Sequence, residues 1–84
     1  MKQVRWTNQA ILALASLGAR ERQLLLDRLE MANQFPAMYP ARQRGRFAGL
    51  RYFVLSRRWV IYYRPEEEED LIVFAIVPAR ARPR

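Results

Sequence analysis

The sequence predicts a two-layer α+β domain in the order β-α-α-β-β-β, with an N-terminal strand and a helical hairpin packed on a small curved antiparallel sheet. Three observations point there. Apolar residues recur at helical spacing between residues 8 and 35. Aromatic and β-branched residues gather in three short runs after residue 50. Proline, glycine and charged clusters separate all of these segments.

Residues 4–6 form a short extended segment, and Thr7 or Asn8 can cap the helix that follows by accepting an orphan N–H. From 8 to 17, Ala10, Ile11, Leu14, Ala15 and Leu17 lie on one helical face, and Gly18 is expected to end the helix in a left-handed conformation. A second helix spans about 20–35, with Leu25, Leu29 and Ala32 as its stripe and Leu26 beside it. Arg20, Glu21, Arg28 and Gln34 are free to face water, and Pro36 and Pro40 prevent continuation. Residues 37–49 have no periodicity and read as a loop, with Gly45 and Gly49 at turns.

The strands follow. Residues 50–55 are aromatic and branched, and Ser56, Arg57 and Arg58 make a polar turn. Trp59-Val60-Ile61-Tyr62-Tyr63-Arg64 is a strong strand signal, and residues 65–70 form an acidic turn. Residues 71–77 are almost continuously apolar, as suits a central strand buried on both faces. Pro78 ends that strand and a basic tail follows. The first strand must join an edge or a gap of this meander, and its place is not readable from the pattern.

Composition narrows the chemistry. The 84 residues are 51% hydrophobic and 12% aromatic, enough for one ordered domain spanning 1–84 and too apolar for disorder. Without cysteine, disulfides, iron–sulfur clusters and thiol nucleophiles are excluded. Without histidine, imidazole acid–base chemistry and the usual zinc sites are excluded, and no cofactor or metal is expected. The N-terminus lacks a signal-peptide core, and the longest apolar run falls far short of the roughly 20 residues that span a bilayer, so a cytoplasmic protein is expected.

Charge supplies the strongest functional signal. Fifteen Lys+Arg against eight Asp+Glu give +7, and Lys2 is the one lysine. Arginine forks pair bidentately with carboxylates and phosphates, so the partner is expected to be anionic. Arg42, Arg44, Arg46, Arg51, Arg57, Arg58 and Arg64 occupy residues 42–64 without one acid, and Arg80, Arg82 and Arg84 follow in the tail. The acids of the second half form a single run, Glu66 to Asp70, read as a solvated turn because it lacks the spacing of a calcium loop. Tyr52, Phe53, Trp59, Tyr62 and Tyr63 lie among the arginines. That mixture would suit single-stranded RNA, but alternation assigns Phe53 and Trp59 to the core and leaves Tyr62 and Tyr63 open.

Together these features resemble the RelE/ParE toxin family of bacterial type II toxin–antitoxin systems. The resemblance rests on Val4-Arg5-Trp6-Thr7 ahead of a helix containing Ala10, the hairpin ending near Pro36, and Gly49-Leu50-Arg51 entering the second strand. It also rests on Trp59 to Arg64 on the third strand and on Ile72 to Val77 followed by Ala79-Arg80. It implies a growth-inhibiting, plasmid-stabilising toxin held in a hetero-oligomer by a cognate antitoxin that wraps it with an acidic, apolar segment. Arg44, Arg46, Arg64 and Tyr62 are the residues expected to meet that segment.

The family divides by target. RelE-like members cleave mRNA at the ribosome, and ParE-like members poison DNA gyrase. Arg51 and Arg80 match two basic positions of the nuclease branch, with Arg58 as a third if the register shifts. Phe53 and Val60 stand where further basic residues would be, and no tyrosine follows Arg80. Arginine stabilises charge but does not transfer protons, since its pKa exceeds ~12. The gyrase-directed reading is therefore favoured, with Arg57, Arg58, Arg80 and Arg82 as target contacts. The mRNA endonuclease and a non-toxic basic nucleic-acid-binding domain are the alternatives.

Overall fold

The structure is a computed structural model that describes residues 4–66 and 71–79. Its elements are β1 (Val4–Trp6), α1 (Asn8–Leu14), α2 (Ala19–Gln34), β2 (Arg51–Leu55), β3 (Trp59–Pro65) and β4 (Leu71–Pro78). The four strands form one open sheet in the order β1-β4-β3-β2. β2, β3 and β4 are the expected antiparallel meander. β1 joins its far edge beside β4 and runs parallel to it, pairing Val4 with Leu71 and Trp6 with Val73, which makes the sheet mixed. The two helices lie on one face, as the α+β reading requires.

α1 is capped by Thr7, whose Oγ1 accepts from Ala10 N–H at 3.2 Å and donates to the Phe74 carbonyl at 2.6 Å. The helix is shorter than its periodicity suggested. After Leu14 the chain tightens into i→i+3 turns that still deliver Leu17 to the core. Gly18 is not a left-handed terminus. Its φ of −70° and ψ of 166° are extended, and it caps the start of α2. Gly18 N–H donates to Glu21 Oε1 at 3.1 Å, and its carbonyl accepts from Arg22 N–H at 2.9 Å. The glutamate three residues on is therefore the relevant sequence signal: it marks a helix start.

α2 buries Leu25, Leu29 and Ala32 as expected, while Leu26, about 100° further round, is half exposed. Glu21 and Arg28 do not simply face water. Arg28 Nη1 donates to the Val54 carbonyl at 3.0 Å, and Glu21 reaches Arg58 at 3.7 Å, so both tie the helix to the β2–β3 hairpin.

The core has two parts. On the helix face, Phe53, Leu55, Trp59, Ile61, Tyr63, Leu71, Val73 and Ile76 meet Ala10, Leu17 and the α2 stripe. On the opposite face, Val60, Tyr62 and Ala75 are covered by Phe47 and Leu50 from the loop at residues 35–50. β3 is consequently buried on both faces from Trp59 to Tyr63, and both tyrosines left open by the sequence are interior. A register shift at Tyr62/Tyr63 accommodates this pairing with β4.

Ser56 and Arg57 turn the hairpin with φ of 52° and 57°, and Arg58 N–H donates to Leu55 O at 3.0 Å. Two successive left-handed residues match the twist of a hairpin, but this geometry favours Asn-Gly, and a Cβ there costs about 1 kcal/mol or more. Arg57→Gly is therefore expected to stabilise the fold by about 1 kcal/mol, read as a higher midpoint in urea unfolding at unchanged slope.

Candidate binding surfaces

Two basic hollows flank the sheet. The larger, with a volume near 630 Å³, lies on the face away from the helices. Phe47, Leu50, Phe74 and Val77 give it apolar walls, and Arg46 and Arg64 stand at it as cations. The Arg46 guanidinium lies 5.6 Å from the Phe47 ring centre, and that of Arg64 lies 5.1 Å from Phe74. Stacking on rings holds the arginine heads over apolar surface while their outer edges stay in water. Arg64 also contacts Glu66 at 3.3 Å, an exposed pair that is weak because water screens it. An apolar floor with two cations at the rim suits a peptide that alternates apolar and acidic side chains.

Gln9 closes one end of this hollow. Its amide donates to the Ile76 carbonyl and accepts from the Ile76 N–H, each at 3.0 Å. A side-chain amide thus continues the β1 side of β4 where β1 itself has ended. No local pattern in the sequence marks Gln9 for this, because the contact spans 67 positions.

The residues singled out from the sequence are distributed unevenly. Arg46 and Arg64 share the hollow; Arg44 is exposed on the same loop and is not among its lining residues. Tyr62 is only 2% exposed because Phe47 stacks on it with centroids 4.2 Å apart. The aromatic surface offered there is Phe47, which the sequence reading did not single out. Arg57 and Arg58 line the second hollow, about 310 Å³, with Trp59 and Pro78. Arg80 and Arg82 lie outside the described residues.

Of the positions matched to the nuclease branch, the two that lie among the described residues, Arg51 and Arg58, do not converge. Arg51 is half-buried, and its guanidinium donates to the Tyr39 carbonyl, fastening the loop to β2. Arg51 pairs with Tyr63 at one end of the hairpin, whereas Leu55 pairs with Trp59 at the other. Four strand steps, roughly 13 Å, separate Arg51 from the turn that holds Arg58. Phe53 and Val60 are buried, one on each face of the sheet.

The architecture is a small α+β domain on a mixed four-stranded sheet, with two basic hollows beside it. The family model described as the ParE toxin of the type II toxin–antitoxin system, parDE, matches residues 4–83. No curated protein matches the chain. The chain belongs to the ParE toxin family and is the toxin side of a type II toxin–antitoxin pair, which implies an antitoxin as its partner. Among the described residues, no helix is long and apolar enough to cross a membrane.

Tyr63 gives this region a pH signature. Its hydroxyl donates to the Pro36 carbonyl at 3.2 Å, and burial pushes its pKa from 10.0 up to about 12, partly opposed by the nearby Arg51 cation. The folded state therefore holds this proton more tightly than the unfolded chain does. Its contribution is complete below pH 10 and declines as the pH rises through about 12. Tyr63→Phe is expected to flatten the fall in stability between those values, at a cost near neutrality of about 1 kcal/mol for the lost hydrogen bond. Urea midpoints measured across that pH range check both parts.

Proposed function

We propose that this toxin acts on DNA gyrase as a binding module, and that the acidic, apolar segment of its antitoxin seats in the hollow between Arg46 and Arg64. The observation that carries the target reading is the apolar filling of the sheet face opposite the helices, where Val60, Tyr62 and Ala75 lie under Phe47. RNA cleavage needs a group that takes the 2′-oxygen's proton and one that protonates the leaving oxygen. On that face the carboxylate beside the hollow, Glu66, is held by Arg64 at 3.3 Å, and Tyr62 lies buried under Phe47. Arg51, the matched basic position, is committed to a backbone carbonyl. Arg57 and Arg58 are available for contacts with the target, and Arg80 and Arg82 are assigned the same role from their place in the sequence.

The seat for the antitoxin follows from complementarity. Carboxylates in the partner would pair with Arg46 and Arg64, and its apolar side chains would lie on Phe47, Phe74 and Val77. Arg44 on the same loop adds to the attraction at longer range, and Tyr62 supports the floor from beneath Phe47.

Induced expression with parallel labelling of protein and DNA tests the target. DNA synthesis is expected to fail first; loss of amino-acid incorporation within minutes, with DNA synthesis continuing, would instead identify a ribosome-dependent endonuclease. Replacing Arg46 or Arg64 by Glu is expected to weaken antitoxin binding by about 10- to 100-fold, measured by calorimetry, the range for a lost charge-assisted contact. Unchanged affinity in both variants would remove the hollow from the interface.

A further inference from the structure

We propose that the β2–β3 turn is a binding site for the phosphodiester backbone of duplex DNA, formed by Arg57 and Arg58 over the hollow they share with Trp59 and Pro78. The inference rests on the target-contact role given to these two arginines, and not on which enzyme the toxin acts upon.

Four observations support it. First, Arg57 and Arg58 are both exposed at the end of the sheet, and Arg57 has no hydrogen bond or ion pair among the described residues. Arg58 meets Glu21 at 3.7 Å, long for a charge-assisted bond, with its own side chain 65% exposed, so a phosphate can compete for it. Second, Ser56 and Arg57 hold left-handed backbone that glycine would adopt at lower cost. The fold tolerates the strain, which leaves a cationic side chain at the tip of a tight turn, and strain of this kind concentrates at functional positions. Third, Trp59 lines the same hollow, and the Arg58 guanidinium lies 5.7 Å from its ring centre, which holds that cation at the hollow.

The fourth observation selects duplex over single strand. Single-stranded nucleic acid binds by stacking its bases on exposed aromatic rings. Near the turn those rings are interior: Trp59 is 9% exposed and Phe53 4%. What remains is charge without a stacking platform, which matches a duplex, whose bases are already stacked and whose surface is phosphate. An acidic peptide is a poorer fit, because it also needs apolar surface to bury. Beside the turn the large exposed apolar side chain on the sheet is Val54, at 39%, whereas Ile11, Leu12, Leu24 and Leu26 lie on the helices.

The test is fluorescence anisotropy of a labelled DNA duplex against the full chain over a range of salt concentrations. Each phosphate neutralised contributes about 0.9 to the slope of log K against log salt. Arg57→Gly is expected to make the slope shallower by about 0.9, and Arg57→Gly with Arg58→Gln by about 1.8. Arg57→Gly is expected to raise folding stability while lowering affinity, so misfolding cannot imitate the result. Arg44→Gln, with the same loss of charge elsewhere, is the control and should change the slope much less.

The proposal is overturned if the free protein does not bind duplex, if the double variant keeps the parental slope, or if Arg44→Gln costs as much. It is also overturned if single-stranded RNA or poly-glutamate displaces duplex from the parent at equal charge concentration. The gyrase reading fails separately. A toxin that stops protein synthesis first, yet binds duplex through Arg57 and Arg58, refutes that target and leaves this site standing.

Discussion

The structure depends on keeping the backbone of β4 paired along both edges. β4 lies between β1 and β3, with Leu71, Val73, Ala75 and Ile76 buried, so an unpaired N–H or carbonyl there would cost free energy with no water to offset it. β3 satisfies one edge with a ladder reaching from Pro65 to Trp59. The other edge is covered in three stages: β1 pairs as far as Val73, Thr7 takes the Val73 and Phe74 carbonyls, and Gln9 takes both groups of Ile76. α1 begins where it does because Thr7 both extends the strand and caps the helix. The hairpin's position over the sheet follows from that junction.

Much of this was legible and some was not, for physical reasons. The meander announced itself because β-branched and aromatic residues are dense from 50 to 64 and 71 to 77, and polar turns separate them. The α2 stripe was legible because Leu25, Leu29 and Ala32 keep helical spacing. Gly18 was misread because glycine serves both ends of helices, and only the bond from its N–H to Glu21 decides between them. The parallel placement of β1 has no local signature, since Val4 meets a partner 67 positions away. The same distance hid Gln9. Phe47 takes the surface place expected of Tyr62 because burial of the second face depends on where the irregular loop folds, and an aperiodic segment does not disclose that.

The site residues follow the same division. Arg46 and Arg64 were chosen for charge alone, and the fold brings them to one hollow because the loop returns across the sheet to the β3 and β4 side chains. Arg51 was also chosen for charge, but its guanidinium holds the Tyr39 carbonyl and serves the architecture. Arginine's value as a structural clamp on carbonyl oxygens, seen again in Arg28 on Val54, makes charge counts overstate the number of cations free for a partner. The chain therefore separates its positive charge into cations that fasten the loop and the hairpin and cations that stay available at two distinct hollows.

The pairing of β1 with β4 also constrains biosynthesis. The first strand made can form its ladder only with the last strand of the domain, so the sheet remains incomplete until the chain around residue 76 has left the ribosome. Nascent chains lengthen by about 5–20 residues each second, so β1 waits several seconds for its partner strand to be made.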